Sequence, residues 1–115
     1  MIKIPGFAKP SDILDAIIRI EEYIIGYDFE KFLNDSKTKD AVVRNFEIIG
    51  EAANQIPDTY KTSHTSVPWN KITGVRNRVI HEYFGVDYQI LWTICETNLP
   101  DLKKNIMEIL DKESK

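Results

Sequence analysis

The sequence predicts an all-α protein, an antiparallel bundle of four main helices with short helical turns between them, on three observations. Apolar residues recur at helical spacing over most of the 115 residues, glycines and prolines stand at the ends of those stretches, and alternation of the kind a strand needs is nearly absent. At 43% hydrophobic and 29% charged, the chain has the balance of one globular domain with one core, so residues 1–115 are expected to form a single domain.

The first helix is expected to open after Pro10 with Ser11 as its cap. It carries Ile13, Leu14, Ile17, Ile18, Tyr23, Ile24 and Ile25, and stops at Gly26. Its apolar face is wide, which calls for contact with two helices of its own bundle or with the bundle and a partner chain. A helical turn around Phe29 to Leu33 leads to a second long helix from about Thr38 to Ile56, ended by Pro57. There Val42, Phe46, Ile49, Ala52, Ala53 and Ile56 keep the helical period, and Gly50, Ala52 and Ala53 let a neighbour approach closely.

The polar stretch from Pro57 to Val67 reads as a loop with one helical turn around Tyr60. Pro68 suits the first turn of a third long helix, running through Trp69, Ile72, Val75, Val79 and Tyr83 to the break at Gly85. Asp87 then caps a fourth, which carries Ile90, Leu91, Ile94, Cys95, Leu99, Leu102, Ile106 and Leu110. Pro100 inside it predicts a kink or break near Asn98 to Pro100.

Composition excludes several classes of function. No apolar run approaches the roughly 18 residues that span a bilayer, and the start at Met1 lacks the apolar stretch of a signal peptide, so the cytoplasm is the expected compartment. The lone Cys95 leaves no intramolecular disulfide and no pair of thiolates for a metal. A net charge of −3 argues against coating nucleic acid by charge alone, yet Lys61 to Phe84 holds Lys61, Lys71, Arg76 and Arg78 against Glu82, a local +3 that leaves −6 elsewhere.

Chemistry concentrates in Arg76-Asn77-Arg78-Val79-Ile80-His81-Glu82-Tyr83. On a continuous helix Asn77 and His81 would be neighbours four apart, and Arg76 and Tyr83 would lie along one line. Arg76 and His81 would differ by about 140°, so they flank one groove only if the helix bends or a second subunit faces them. Cleavage of RNA by its own 2′-hydroxyl needs a proton acceptor, a proton donor and cationic stabilisation of the phosphorane. Histidine exchanges protons near neutral pH, and guanidinium matches phosphate oxygens in a two-pronged way. Asn77 is placed to hold the imidazole in one tautomer. Two copies about a two-fold axis would supply two histidines and two arginines, which makes a homodimer part of the reading. The structural alternative is a histidine that caps a helix end and an arginine that is merely solvated.

The run Gly74 to Tyr83, followed by Val86-Asp87, resembles the signature of HepT-like HEPN ribonuclease toxins: an arginine, a polar residue, three others, a histidine, then a tyrosine two further on. Phe46-Glu47-Ile48-Ile49-Gly50-Glu51-Ala52-Ala53 resembles the family's second-helix motif, and Val67-Pro68-Trp69 also matches, so the likeness runs from about Ile13 to Ile109. The resemblance implies a HEPN-like, dimeric, metal-independent endoribonuclease of a toxin-antitoxin pair, with Arg76, Asn77 and His81 as its catalytic set. It further implies an antitoxin of the MntA kind, a nucleotidyltransferase that adenylylates Tyr83. Arg78 and Lys71 are expected to bind the RNA, and no cofactor or metal is expected. The rival is a non-catalytic helical module that docks a nucleotidyltransferase and is its substrate.

Other residues attract attention and carry less. Glu47 and Glu51 share a helical face and read as solvated or arginine-paired, His64 as a solvent-facing loop residue without a second ligand, and Trp69 and Trp92 as core or interface anchors.

Overall fold

The computed structural model describes residues 8–81 and 85–114, without the side chains of Arg76 and His81. Within these residues lie six helices and one two-stranded ribbon, in the order α1 Pro10–Tyr23, α2 Phe29–Leu33, α3 Ser36–Gln55, α4 Asp58–Ser63, α5 Trp69–Val79, β1 Ile80–His81, β2 Gly85–Val86 and α6 Tyr88–Glu113. The architecture is the expected all-α, HEPN-like bundle, with a small hairpin inserted before the last helix.

α2, α3 and α6 each begin after an aspartate, Asp28, Asp35 and Asp87, whose carboxylate accepts from an amide of the first turn. In α1 the cap is Lys9, not Ser11: Pro10 takes the first helical position, which needs no N–H, and the Lys9 amide donates to the Asp12 carboxylate at 2.8 Å. The helix stops at Tyr23, short of the expected Gly26. Ile24 and Ile25 lie in the turn that follows, and Gly26 sits there at φ +77°, a left-handed conformation that glycine adopts without strain. Asp35 caps α3 by accepting from the Thr38 amide at 3.1 Å, and also accepts from the Tyr27 hydroxyl at 2.6 Å and the Thr38 hydroxyl at 2.8 Å. Those bonds, led by Tyr27, hold its carboxyl at about 2, below the ordinary aspartate value.

The core lies where α1, α3 and α6 meet. Ile13, Ala16, Ile17 and Ile20 of α1 are buried against α3 and α6, so its wide face is used by two helices of its own bundle. α2 is held by Phe32, whose ring lies 5.0 Å from Trp92 and 6.2 Å from Tyr88. On α3 the small and apolar residues Val42, Phe46, Ile49, Gly50, Ala52 and Ala53 are buried as the period predicts. Asn45 is buried among them, its Nδ2 donating to the Ala41 carbonyl at 2.9 Å.

Beyond α1, three further expectations need correction. The break at Pro100 does not occur: α6 runs on through Glu113, because Leu99 and Leu102 anchor both sides of the proline in the core, while Pro100 and Glu96, whose carbonyl loses its partner, face water. His64 is half-buried and engaged, stacked on Tyr60 at 4.0 Å between ring centres, with Nδ1 2.9 Å from the Tyr60 carbonyl oxygen. Tyr60 in turn donates to Glu113, tying α4 to the end of α6.

The third correction matters most for function. The third long helix ends at Val79, four residues before the expected Tyr83, and the chain turns into an antiparallel ribbon pairing Ile80 with Val86 and His81 with Gly85. The Asp87 amide closes it on the Val79 carbonyl at 2.8 Å, and the Asp87 carboxylate caps α6 by accepting from the Ile90 amide at 3.1 Å. One residue thus ends the ribbon and starts the helix. Asp87→Ala is expected to lower unfolding stability by about 1 kcal/mol in a urea titration. A change of less than a few tenths would show that this cap does not hold the junction.

Candidate active site

The segment that the sequence singles out straddles the end of α5. Trp69, Ile72 and Val79 point into the core, at spacings of three and seven, and so turn Lys71, Asn77 and Arg78 to solvent. The backbone of Arg76 is in the last turns of α5 and that of His81 is in β1, while both side chains lie outside the described residues. Tyr83 lies outside the described residues altogether. Because α5 stops between Arg76 and His81, the helical geometry assumed for this run does not hold. Asn77 and His81 are not one turn apart on a helix, and the expected alignment of Arg76 with Tyr83 lies outside the described residues.

α5 leans on α3 and barely touches α6, which leaves a slot of about 280 Å³ between them. Its floor is apolar, made by Phe46, Ile49, Ile72, Ile94 and Leu99. Lys71 and Arg78, seven residues and two turns apart, line the α5 side, and Asn98, Asp101 and Asn105 line the α6 side. The structure therefore brings together the two residues expected to bind RNA. Neither has a carboxylate within 4.0 Å among the described residues, whereas Lys103 pairs with Glu21 at 2.8 Å. A shallower hollow continues past Lys71 to Lys61, Thr65 and Asn70.

The α6 residues are the part of the site that the sequence reading missed. A signal was present: Asn98 and Asn105 are seven apart, with Asp101 between them, and interrupt the apolar period from Ile94 to Ile106 along one helical line.

Other candidates fall into structural roles. Trp69 is buried with Nε1 donating to the His64 carbonyl at 3.0 Å, and Trp92 is buried against Phe29 and Phe32. Glu51 accepts from Gln55 at 3.3 Å. Burial pushes the Cys95 thiol up to about 12, with the charge of Glu96 adding to it, so it is no nucleophile at neutral pH. Among the described residues no group of His, Cys, Asp or Glu is placed to share a metal ion, and no helix is long and apolar enough to cross a membrane.

A helical bundle of HEPN type, with a cationic, amide-bearing segment at a helix end and an apolar slot beside it, is the class that fold and site define. The HepT-like family model, described as "Ribonuclease HepT-like", matches residues 13–109, and the chain belongs to this family of ribonucleases. It is similar to "Probable ribonuclease HepT" of Thermococcus cleftensis, 46% identical over 92 residues that cover 80% of this chain and 84% of that one. It is also similar to a "Putative RNase" of Caldanaerobacter subterraneus subsp. tengcongensis, 42% identical over 108 residues, covering 90% and 96%. A third relative, a "Putative RNase" of Methanocaldococcus jannaschii, is 38% identical over 95 residues, covering 83% and 87%. No solved structure matches the chain.

Proposed function

We propose that the protein, as one domain over residues 1–115, is the cytoplasmic endoribonuclease toxin of a toxin-antitoxin pair, cutting RNA without a metal at a site shared between two copies. The observation that carries this is membership of a ribonuclease family with the run Arg76 to His81 set at the junction of α5 and the ribbon, beside Lys71 and Arg78.

In this reading the 2′-hydroxyl attacks the adjacent phosphorus. The 2′-oxygen–phosphorus bond forms, the bond to the 5′-oxygen breaks, and the products are a 2′,3′-cyclic phosphate and a 5′-hydroxyl. One His81 imidazole takes the proton from the 2′-hydroxyl, and the His81 of the second copy gives one to the departing 5′-oxygen. Arg76 carries the charge that develops on the phosphorane, a role in which guanidinium keeps its proton. Asn77, exposed in the last turn of α5, is assigned to orient the imidazole, and Lys71 and Arg78 to hold the flanking phosphates.

His81→Ala and Arg76→Ala are each expected to abolish RNA cleavage and growth inhibition while leaving the helical circular dichroism intact. Unchanged cleavage would end the catalytic assignment. An unmodified wild-type protein that cuts no RNA would favour a non-catalytic module whose work is to dock a nucleotidyltransferase.

Regulation is assigned to Tyr83, two residues after His81, as the acceptor of AMP from an MntA-like nucleotidyltransferase. Each AMP adds a phosphodiester anion to the segment whose cations are to bind RNA, so the modified protein competes with its own substrate. Tyr83→Phe should keep nuclease activity and escape silencing. Intact-mass spectrometry after incubation with the partner and ATP is expected to show mass added in AMP units to the wild type alone, and equal labelling of both proteins would refute the site.

A further inference from the structure

The slot between α5 and α6 has a shape and a polarity that the reaction itself does not require. The apolar side chains at its floor are already covered: Phe46 is 3% exposed, Ile72 6%, Ile94 8% and Leu99 3%. The large apolar side chains that do face solvent, Tyr23, Ile25, Leu33 and Met107, are not among its lining residues. The slot therefore offers no broad exposed apolar face to a helix about 10 Å across, while its volume of about 280 Å³ accommodates one flat heteroaromatic ring system.

The polar groups at the lip are set out in two chemistries. On the α5 side Lys71 and Arg78 offer positive charge with no carboxylate bound to either among the described residues. On the α6 side Asn98 and Asp101 stand three residues apart, on one face of the helix. The Asn98 side-chain amide lies 2.9 Å from the Thr97 hydroxyl, whose one hydrogen goes to the Thr93 carbonyl at 2.7 Å, and in either amide orientation Asn98 keeps an N–H to donate. Asn105 is occupied, its Nδ2 donating to the Ser66 carbonyl at 3.3 Å. Asp101 is exposed and forms no ion pair with either cation across the slot. A carboxylate without an ion pair among the described residues repels a polyanion unless the ligand brings N–H donors to it.

We infer that the slot takes one unstacked guanine of the RNA, with Asp101 accepting from guanine N1–H and N2–H, Asn98 donating to O6, and Lys71 and Arg78 holding the neighbouring phosphates. Recognition of single-stranded RNA works in this way, with a base splayed out and read along its Watson–Crick edge. Guanine is singled out by the carboxylate. Its two oxygens match two adjacent N–H donors, whereas uracil offers one ring N–H and adenine and cytosine one amino group each. The inference deepens the reading of the protein as a ribonuclease and rests on it.

The test uses four otherwise identical short RNA strands with a single central G, A, C or U, made with 2′-O-methyl riboses so that they cannot be cut, and reads binding by fluorescence anisotropy. Wild type should bind the G strand about tenfold more tightly than the other three. Asp101→Asn, with its fold checked by circular dichroism, should make all four equal, Asn98→Ala should shrink the preference, and Glu96→Gln, an exposed acid outside the slot, should retain it. Binding of all four strands with no preference for G, or a preference that survives Asp101→Asn, overturns the guanine slot and leaves the ribonuclease reading standing. Absence of binding to any strand overturns both.

Discussion

Everything about the site depends on how α5 is held: tightly by α3 and hardly at all by α6. Val79 is fully buried and Ile72 nearly so, and these two residues, seven apart, fix which side of α5 faces inward. The same constraint turns Lys71, Asn77 and Arg78 outward and leaves the gap that becomes the slot. Packing α5 equally against both neighbours would have closed that gap with side chains.

The end of α5 is the second determinant. Ile80 and Val86 pair across the ribbon, and Gly85, at φ +84°, takes a backbone conformation that side chains rarely adopt. Asp87 then closes the ribbon with its amide and starts α6 with its carboxylate. The candidate segment, placed across this junction, has one part on a helix and one on extended backbone. Between Arg76 and His81 the helix gives way to extended backbone, so the two residues are not held on one helical wheel.

Much of the fold was legible because it is local. The apolar period of α3, the turn at Tyr60, the Asp87 cap and the burial of both tryptophans follow from spacing and from capping chemistry within a few residues. What escaped was decided at a distance or by competition between neighbours. Lys9 displaces Ser11 as the cap of α1 with Pro10 at the first helical position, Leu99 and Leu102 hold α6 through Pro100, and the Ile80 to Val86 pairing ends a helix that periodicity alone would continue. The reactive run was legible as a motif. Its geometry was not, since a helical wheel assumes the helix, and Asn98 and Asp101 join the site only through packing of a helix that follows it in the chain.

The central claim is that RNA is cut by its own 2′-hydroxyl through side chains of this protein. Digestion of an RNA in excess EDTA, beside the same strand carrying a single 2′-deoxy residue at the cleaved position, tests it most directly. The account predicts cleavage that persists under chelation, leaves 2′,3′-cyclic phosphate ends and stops at the 2′-deoxy position. Loss of activity on chelation, or cutting at the 2′-deoxy residue, would contradict it.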